Sequence, residues 1–209
     1  METASFAKTK TKRIGMIFLV MNLIGIAVAI FLETGVGSDS IGLLCDGISA
    51  ACGIRFGNAS LLYNAAVIFI AFIFSRSNLG LGTIVYALFS GYFIDFYAYL
   101  LSPLTLRDSF WGVKAVGFVI GQLCLSLGLA ILIQMKLGMN ALDAVLYRIE
   151  QLVKIKYAVL RTICDCSYVL IGTFLGGTFG PGTICSVLLT GFLVSKIIKV
   201  MSGRKAQQP

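Results

Sequence analysis

Three polar side chains on one apolar stretch have the types and the spacing to do chemistry together. Arg161, Asp165 and Tyr168 lie four and then three residues apart, within a mostly apolar segment at 157–175. Such spacings place side chains on one face of an α-helix, where they can satisfy one another. An ionisable residue deep in a membrane costs ~2.5–3.5 kcal/mol on insertion scales, so it usually faces protein or a water-filled cavity. We predict that Asp165 lines a solute path; the alternative is an internal ion pair that only holds the helices together.

Two more residues are candidates for the same path because of their positions in the chain. Asn64 lies 101 positions before Asp165 on another apolar segment, which places a polar side chain at the matching point of each. Asp143 belongs to a short stretch of mixed polarity, 141–154. The candidate path residues are therefore Asp165, Arg161, Tyr168, Asn64 and Asp143. Interfacial or packing positions are expected for Asn22, Glu33, Asp95, Gln122 and Gln134.

A glycine turn occurs twice in the chain, one hundred positions apart. The turns at 80–84 and 180–184 share Gly, Gly, Thr and Ile, and Gly91 and Gly191 follow them. Glycine before a helix start exposes the unpaired N–H groups of the first turn, which can hold an anion, and a Thr hydroxyl can cap them. The alternative is a tight loop between helices, which needs the same residues. The helix-start candidates are Gly80, Gly82, Thr83, Gly180, Gly182 and Thr183.

Several classes of chemistry are excluded by residue types and motifs that the sequence lacks. Without histidine no Ser-His-Asp or Cys-His arrangement exists, and no Gly-x-x-x-x-Gly-Lys-Ser/Thr phosphate loop occurs. The six cysteines form no Cys-x-x-Cys pair and lie in or beside apolar runs, so we expect them to pack. We therefore predict no enzymatic activity, no cofactor and no metal. The net charge is +8, and the basic residues lie between the apolar runs and at both ends of the chain. This placement indicates membrane topology and not nucleic-acid binding.

The composition is that of an all-α integral membrane protein. Hydrophobic residues make up 58% of the 209 and charged residues 12%, about half the charged fraction of soluble domains. The stretches at 41–54 and 141–154 would form helices of only ~21 Å, short of the ~30 Å hydrocarbon core. We predict amphipathic or re-entrant helices there, either interfacial or lining a cavity. Six segments are expected to span: 14–32, 61–74 with flanking residues, 84–101, 113–133, 157–175 and 184–200.

The same order of segments occurs twice, which indicates a duplicated unit. Three spans per unit make the second unit enter the membrane from the opposite side, so we predict two inverted repeats. Lys and Arg counts favour six spans with both termini cytoplasmic, without excluding eight spans and parallel repeats. The first apolar run resembles a signal peptide, but it is long enough to span and is interpreted as a helix. The expected parts are a basic cytoplasmic N-terminus (1–13), a first membrane repeat (14–103), a connecting loop (104–112), a second repeat (113–200) and a cytoplasmic tail (201–209).

The glycine motifs resemble those of the YczE/YyaS/YitT family of bacterial integral membrane proteins. The carriers are the glycine-led connection at 37–47, the Gly-Leu-Gly-Thr turn with Gly91 and Asp95 after it, and the Gly-Pro-Gly-Thr turn at 180–183. The resemblance implies a multi-span plasma-membrane protein and no particular substrate. In the family pattern an aspartate follows each glycine-led connection. Here only Asp143 keeps it, and Gly42 stands at the corresponding position of the first unit.

Two functions remain open from the sequence. The first is a small secondary transporter or permease for an unidentified small solute, with the path residues named above. The second is a non-transporting accessory or assembly protein, whose polar residues only hold the bundle together. The expected partners are the lipid bilayer and, for a permease, a small solute; the sequence indicates neither the solute nor the number of subunits.

Overall fold

All regular structure in the described part of the chain is helical. The computed structural model describes residues 2–74, 81–134 and 141–205. Two short 3-10 helices, Ser102–Leu104 and Leu106–Asp108, connect the halves. The α-helices are α1 (Glu2–Thr34), α2 (Ser40–Cys52), α3 (Phe56–Phe74), α4 (Leu81–Leu101), α5 (Trp111–Gln134), α6 (Ala141–Val153), α7 (Tyr157–Phe174) and α8 (Pro181–Lys205).

Five of these helices are long and apolar enough to cross a membrane: α1, α3, α4, α5 and α8. The chain is therefore a helical membrane protein. The sixth expected span is α7, which has 18 residues and carries Arg161 and Asp165 in its length. These two residues make α7 less apolar than the other five, so a sixth span stays a prediction. The short helices α2 and α6 have 13 residues each, in agreement with the prediction that neither is long enough to span.

The helices of the two halves begin at constant separations. The starts of α2 and α6, and those of α3 and α7, are 101 residues apart, while the starts of α4 and α8 are 100 apart. The order of a long helix, a short one and two further helices therefore occurs twice.

Two apolar clusters hold the helices together. One centres on α1, where Val20, Ala27 and Phe31 are almost fully buried against α4 and α5. The other joins α2, α3, α6 and α7 around Ala59 and Leu142. In lipid, helices associate by close packing rather than by the hydrophobic effect, because the lipid tails are equally apolar. Small residues at these contacts let the backbones approach, which fixes the short helices inside the bundle.

Glycine pairs mark the closest helix crossings. A Cβ at Gly47 of α2 would collide with the carbonyl of Gly172 in α7, and a Cβ at Gly172 would lie 2.6 Å from the Leu43 carbonyl oxygen. Gly57 of α3 and Gly91 of α4 meet in the same way. Only glycine permits such backbone-to-backbone contact. These crossings bring α2 against α7 and α3 against α4.

Candidate functional site

A cavity of about 1000 Å³ lies within the bundle. Its wall is mostly apolar where α1, α5 and α8 contribute Ile24, Leu129 and Val194. Such a volume is at the upper end of the range for small-molecule sites. The side chains that give the cavity its polar character are Asp39, Ser40, Ser60, Tyr63, Asn64, Tyr86, Ser90, Asp143, Tyr157, Arg161, Thr162, Asp165, Ser186, Thr190 and Ser195.

Arg161 joins two carboxylates at the edge of this cavity. Its Nε lies 3.1 Å from Asp165 Oδ2, four residues along α7, as the spacing predicted. Its Nη1 lies 2.8 Å from Asp143 Oδ1 on α6. The three side chains are 31%, 17% and 22% exposed, respectively, so the group is only partly screened by solvent. The structure thus brings Arg161, Asp165 and Asp143 into one charged cluster.

Hydroxyl donors complete the coordination of both carboxylates. Ser40 Oγ, at the start of α2, donates to Asp165 Oδ1 at 2.6 Å. Tyr157 Oη, at the start of α7, donates to Asp143 Oδ1 at 2.7 Å. Charge-assisted hydrogen bonds of this length are about twice as strong as neutral ones. The cluster therefore ties α2, α6 and α7 together at one point of the cavity wall.

The turn between α6 and α7 positions two of these side chains. Asp143 is the third residue of α6, where the positive end of the helix dipole stabilises a carboxylate. Glu150 Oε1, farther along α6, accepts the backbone N–H of Tyr157 at 2.9 Å. This bond fixes the start of α7 relative to α6. It thereby sets the position from which Tyr157 reaches back to Asp143.

The other two predicted path residues lie apart from the charged cluster. Asn64 lines the cavity, but its Nδ2 contacts Ser60 Oγ at 3.4 Å on its own helix. Tyr168, on the same helix as Arg161, meets Tyr63 of α3: the hydroxyls are 3.4 Å apart and the rings pack edge to face. Tyr168 is not part of the cavity wall. Sharing a helix face with Asp165 is therefore not enough to bring Tyr168 into the cluster.

Asp39 is a cavity residue that the sequence reasoning missed. It lies in the connection before α2, outside the spanning helices, and lines the cavity half-buried. Ser38 Oγ donates to its Oδ1 at 3.1 Å. A Cβ at Gly42 would lie 2.6 Å from that same oxygen, so the Asp39 carboxylate occupies the space above Gly42. The first unit therefore has an acid near the position of the family aspartate, three residues earlier in the chain. In the sequence, the signal for it was a glycine at 42 with Asp39 shortly before it.

Burial raises the pKa of the Asp39 carboxyl above its usual value, with Asp165 adding to the effect and the Ser38 hydrogen bond opposing it. Arg161, Cys45 and Tyr86 are the other titratable groups near it. Among the described residues Asp39 forms no ion pair. A carboxyl whose pKa is raised on folding stabilises the fold below its unfolded pKa, and this stabilisation is lost as the pH rises through its folded pKa.

We expect Asp39→Asn to raise the melting temperature in detergent at neutral and higher pH. The buried negative charge is then absent, while the amide oxygen can still accept the Ser38 hydrogen bond. At about pH 4, near the unperturbed value for Asp, the difference should shrink because the wild-type carboxyl is protonated. Thermal unfolding at both pH values measures it. Asp108→Asn, on the exposed loop after α4, makes the same change in net charge and should alter neither melting curve. Equal shifts for both variants would contradict the assignment.

The second glycine turn is used for packing. Gly182 N–H donates to the Val36 carbonyl at 3.0 Å, and a Cβ at Gly180 would collide with that carbonyl. Thr183 is 1% exposed and its Oγ1 has no hydrogen-bond partner within the described part of the chain, so it caps no N–H group. Of the first turn, Gly80 and the Thr83 side chain lie outside the described residues, and Gly82 is the second residue of α4. The geometry at 180–183 favours the tight-loop alternative over an anion site.

Within the described residues, four of the five residues expected at interfacial or packing positions, all except Glu33, form hydrogen bonds between helices. Asp95 Oδ1 accepts the Gly57 N–H at 2.8 Å, and Gln122 Nε2 donates to Thr190 Oγ1 at 2.8 Å. Tyr97 Oη donates to Asn22 Oδ1 at 2.6 Å. Gln134 Nε2 donates to a carbonyl of α8 at 3.2 Å. These contacts match the packing positions expected from the sequence.

Comparison with known proteins identifies relatives. The model of a family of unknown function, DUF6198, matches residues 11–199. An uncharacterized protein of Haemophilus influenzae is 25% identical over 191 residues, 91% of this chain and 85% of that protein. Two Bacillus subtilis proteins are each 22% identical: the uncharacterized protein YyaS over 86% of this chain and 89% of its own, and the uncharacterized membrane protein YczE over 68% and 64%. No solved structure matches significantly. The resemblance to YczE and YyaS is confirmed.

Proposed function

The chain belongs to the DUF6198 family and is related to the membrane protein YczE, and on that premise we propose that it is a small secondary transporter or permease. In this proposal it is a multi-pass plasma-membrane protein that moves a small polar solute and has no catalytic activity. The observation that carries the proposal is the cavity bordered by the cluster of Arg161, Asp143 and Asp165.

The cavity supports a solute path over a purely structural role for the charged cluster. Ion pairs that only hold helices together need no open volume beside them, because the surrounding side chains can pack against the pair. Here the charged cluster borders about 1000 Å³ of space, and Ser186 and Thr190 of α8 are among the residues that line it. An intramembrane ionisable group beside a polar cavity is typical of a substrate or ion pathway.

The repeated order of helices supports two inverted membrane repeats, 14–103 and 113–200. With α7 as a sixth span, each unit crosses three times, and the second is inverted relative to the first. This arrangement puts both termini in the cytoplasm with most Lys and Arg residues, including those at 8–13 and 196–205. Sites at the interface of inverted repeats are usual in secondary transporters. The charged cluster joins α2 of the first unit to α6 and α7 of the second.

The charges in the cavity favour a cationic or zwitterionic solute over an anionic one. Three carboxylates, Asp39, Asp143 and Asp165, face a single guanidinium, Arg161. The sum is negative whether or not Asp39 carries its proton. In an environment of low dielectric, such an excess disfavours an anion strongly. Tyr63 and Tyr86 add aromatic faces that can contact an organic cation.

A second candidate is an accessory or assembly protein. The favouring observation is that Arg161 already bonds two carboxylates of its own chain, each of which also accepts a hydroxyl hydrogen bond. In that function the cluster would only lock the short helices in place.

The test compares Asp165→Asn with Asp46→Asn. Asp46 of α2 also accepts a partly buried hydrogen bond, from Thr178 N–H at 2.7 Å, but it does not line the cavity, and an Asn oxygen can take over that bond. Solutes inside and outside cells are measured by mass spectrometry with and without each form of the protein. We expect at least one solute whose gradient changes with the wild type and with Asp46→Asn, and at least a tenfold loss of that change with Asp165→Asn, on the scale of losing a charged contact. A folded, inserted Asp165→Asn protein that leaves the gradient as in the wild type would exclude Asp165 from the path.

A further inference from the structure

Most contacts between the α-helices come in matched pairs. If α1 to α4 are matched in order with α5 to α8, the contact of α1 with α4 corresponds to that of α5 with α8. In the same way, the contact of α2 with α7 corresponds to that of α6 with α3, and the contact of α2 with α3 to that of α6 with α7. All six of these contacts are present. The packing of α3 on α4 is also extensive, but its counterpart, α7 on α8, is at most marginal in the described part of the chain. We call each of these two helix pairs a seam. The seam between α3 and α4 is therefore closed, and the corresponding seam between α7 and α8 is open.

Three residues form the closed seam. A Cβ at Gly91 of α4 would lie 2.6 Å from the carbonyl oxygen of Gly57 at the start of α3, so the backbones touch. Asp95, one turn later on α4, accepts the Gly57 N–H at 2.8 Å. A tight glycine contact thus seals α3 to α4, and a side-chain hydrogen bond reinforces it.

Two of the three counterparts of these residues border the cavity. Gly191 corresponds to Gly91 and is identical to it, yet no described atom lies within 4 Å of a Cβ built there. Ser195 corresponds to Asp95, and like Gly191 it lines the cavity and is exposed. Gly57 corresponds in sequence to Ala158, the second residue of α7. The second seam therefore has a glycine, a small residue and a hydrogen-bonding side chain at the three corresponding positions.

We propose that α7 and α8 form a gate that closes when Gly191 packs against the start of α7 near Ala158, with Ser195 taking the place that Asp95 holds in the closed seam. In the complementary state the seam between α3 and α4 opens. The inference deepens the proposed function, on whose repeat arrangement it rests, and gives the permease its two access states.

The physical basis is that two equivalent units adopt different packings in one molecule. Inverted repeats that exchange their conformations expose a shared site first to one side of the membrane and then to the other. Gly57 and Gly91 show that this pair of helices can reach backbone contact, which small residues permit in lipid. Gly191 and Ser195 of α8 and Arg161 of α7 line the cavity, so both helices of the seam that lacks this contact border it.

A cross-linking experiment tests the gate without any solute. The double variant Ala158→Cys/Gly191→Cys is made in a chain whose six native cysteines are replaced by alanine, and it is oxidised in membranes. A disulfide requires Cβ atoms roughly 3.5–4.5 Å apart. In this structure no described atom lies within 4 Å of a Cβ built at Gly191. We expect a linked peptide pair by mass spectrometry, and none from either single variant. Absence of the link, in protein whose two thiols both react with maleimide, would overturn the gate.

A bulky side chain at 191 supplies the second test. Gly191→Leu has open space in this structure, so we expect its melting temperature in detergent to match the wild type. The leucine should nevertheless block closure and lower the solute flux at least tenfold. The matched variant Gly91→Leu collides with Gly57 and should be strongly destabilised. If Gly191→Leu leaves the flux unchanged while Asp165→Asn is inactive, the gate is refuted and the permease proposal stands. If the disulfide forms but no solute flux is found, the movement of α7 and α8 is supported and the permease proposal is refuted.

Discussion

Replacing Arg161 by methionine is expected to destabilise the protein by about 2 to 4 kcal/mol. The substitution removes the cation that Asp143 and Asp165 share and leaves two carboxylates within one cluster without a counter-charge. Breaking a fully buried pair costs about 3–5 kcal/mol. These side chains are 17–31% exposed, so solvent reduces the loss. Methionine has a similar length and preserves the packing of the side chain stem. Thermal or denaturant unfolding in detergent measures the change.

Neutralising the carboxylates distinguishes electrostatics from packing in this prediction. If unpaired negative charge causes the loss, Arg161→Met combined with Asp143→Asn and Asp165→Asn should recover most of the stability. Arg161→Lys keeps the charge but cannot place two nitrogens in the same fork, so an intermediate stability is expected. An Arg161→Met protein as stable as the wild type would show that the cluster does not hold α6 and α7 together.

The local part of this cluster could be predicted from the sequence and the long-range part could not. Arg161 and Asp165 are four residues apart on one helix, and helix geometry alone brings them together. The contact with Asp143 depends on how α6 packs across α7, which no spacing in the sequence specifies. Tyr168 shares a helix face with Arg161 as well, but that face is wide enough for Tyr168 to pack on Tyr63 and not on the charged cluster. Spacing therefore predicts which residues share a face and not what each one meets.

Asp39 was missed for a related reason. Alignment of the two units paired Gly42 with Asp143, which indicated that the first unit lacks an acid. In space, the Asp39 carboxylate lies directly above Gly42. A side chain three residues earlier fills the place because Gly42 has none. Matching the residues of the two units by sequence position alone therefore fails where the side chain of a nearby residue fills the corresponding space.

Most helices followed from the apolar pattern to within about five residues, but α1 begins at Glu2, well before the start at 14 that the pattern predicted, because the basic stretch before the apolar run is also helical. The short stretches at 41–54 and 141–154 became α2 and α6, with ends near those expected. The glycine turn at 180–184 does precede a helix, but the docking of its glycines on Val36 required the fold. Two short helices that cannot span need such tertiary anchors, because polar groups at their ends have no water inside a bilayer. The charged cluster and the glycine crossings supply these anchors, and the charged cluster also lines the cavity.

A single added methyl group at position 172 is expected to be among the most damaging changes in the protein. In most helices alanine is more favourable than glycine by about 1 kcal/mol, so the intrinsic effect of Gly172→Ala is stabilising. In this structure a Cβ there would lie 2.6 Å from the Leu43 carbonyl oxygen and 2.9 Å from the Leu44 Cα. Both are backbone atoms that cannot rotate away, so α2 must move off α7.

We therefore expect Gly172→Ala to destabilise the protein by about 3 kcal/mol or more, the upper range for overpacking. Gly15→Ala in α1 is the matched control, since it lies in a helix and no atom of the described residues comes within 4 Å of its Cβ position. That variant should be neutral or slightly stabilised, as helix propensity predicts. The two melting curves, recorded in the same detergent, should thus move in opposite directions or by very different amounts. If both variants shift alike, the close crossing of α2 on α7 does not exist in the folded protein, and the cavity wall built on it must be redrawn.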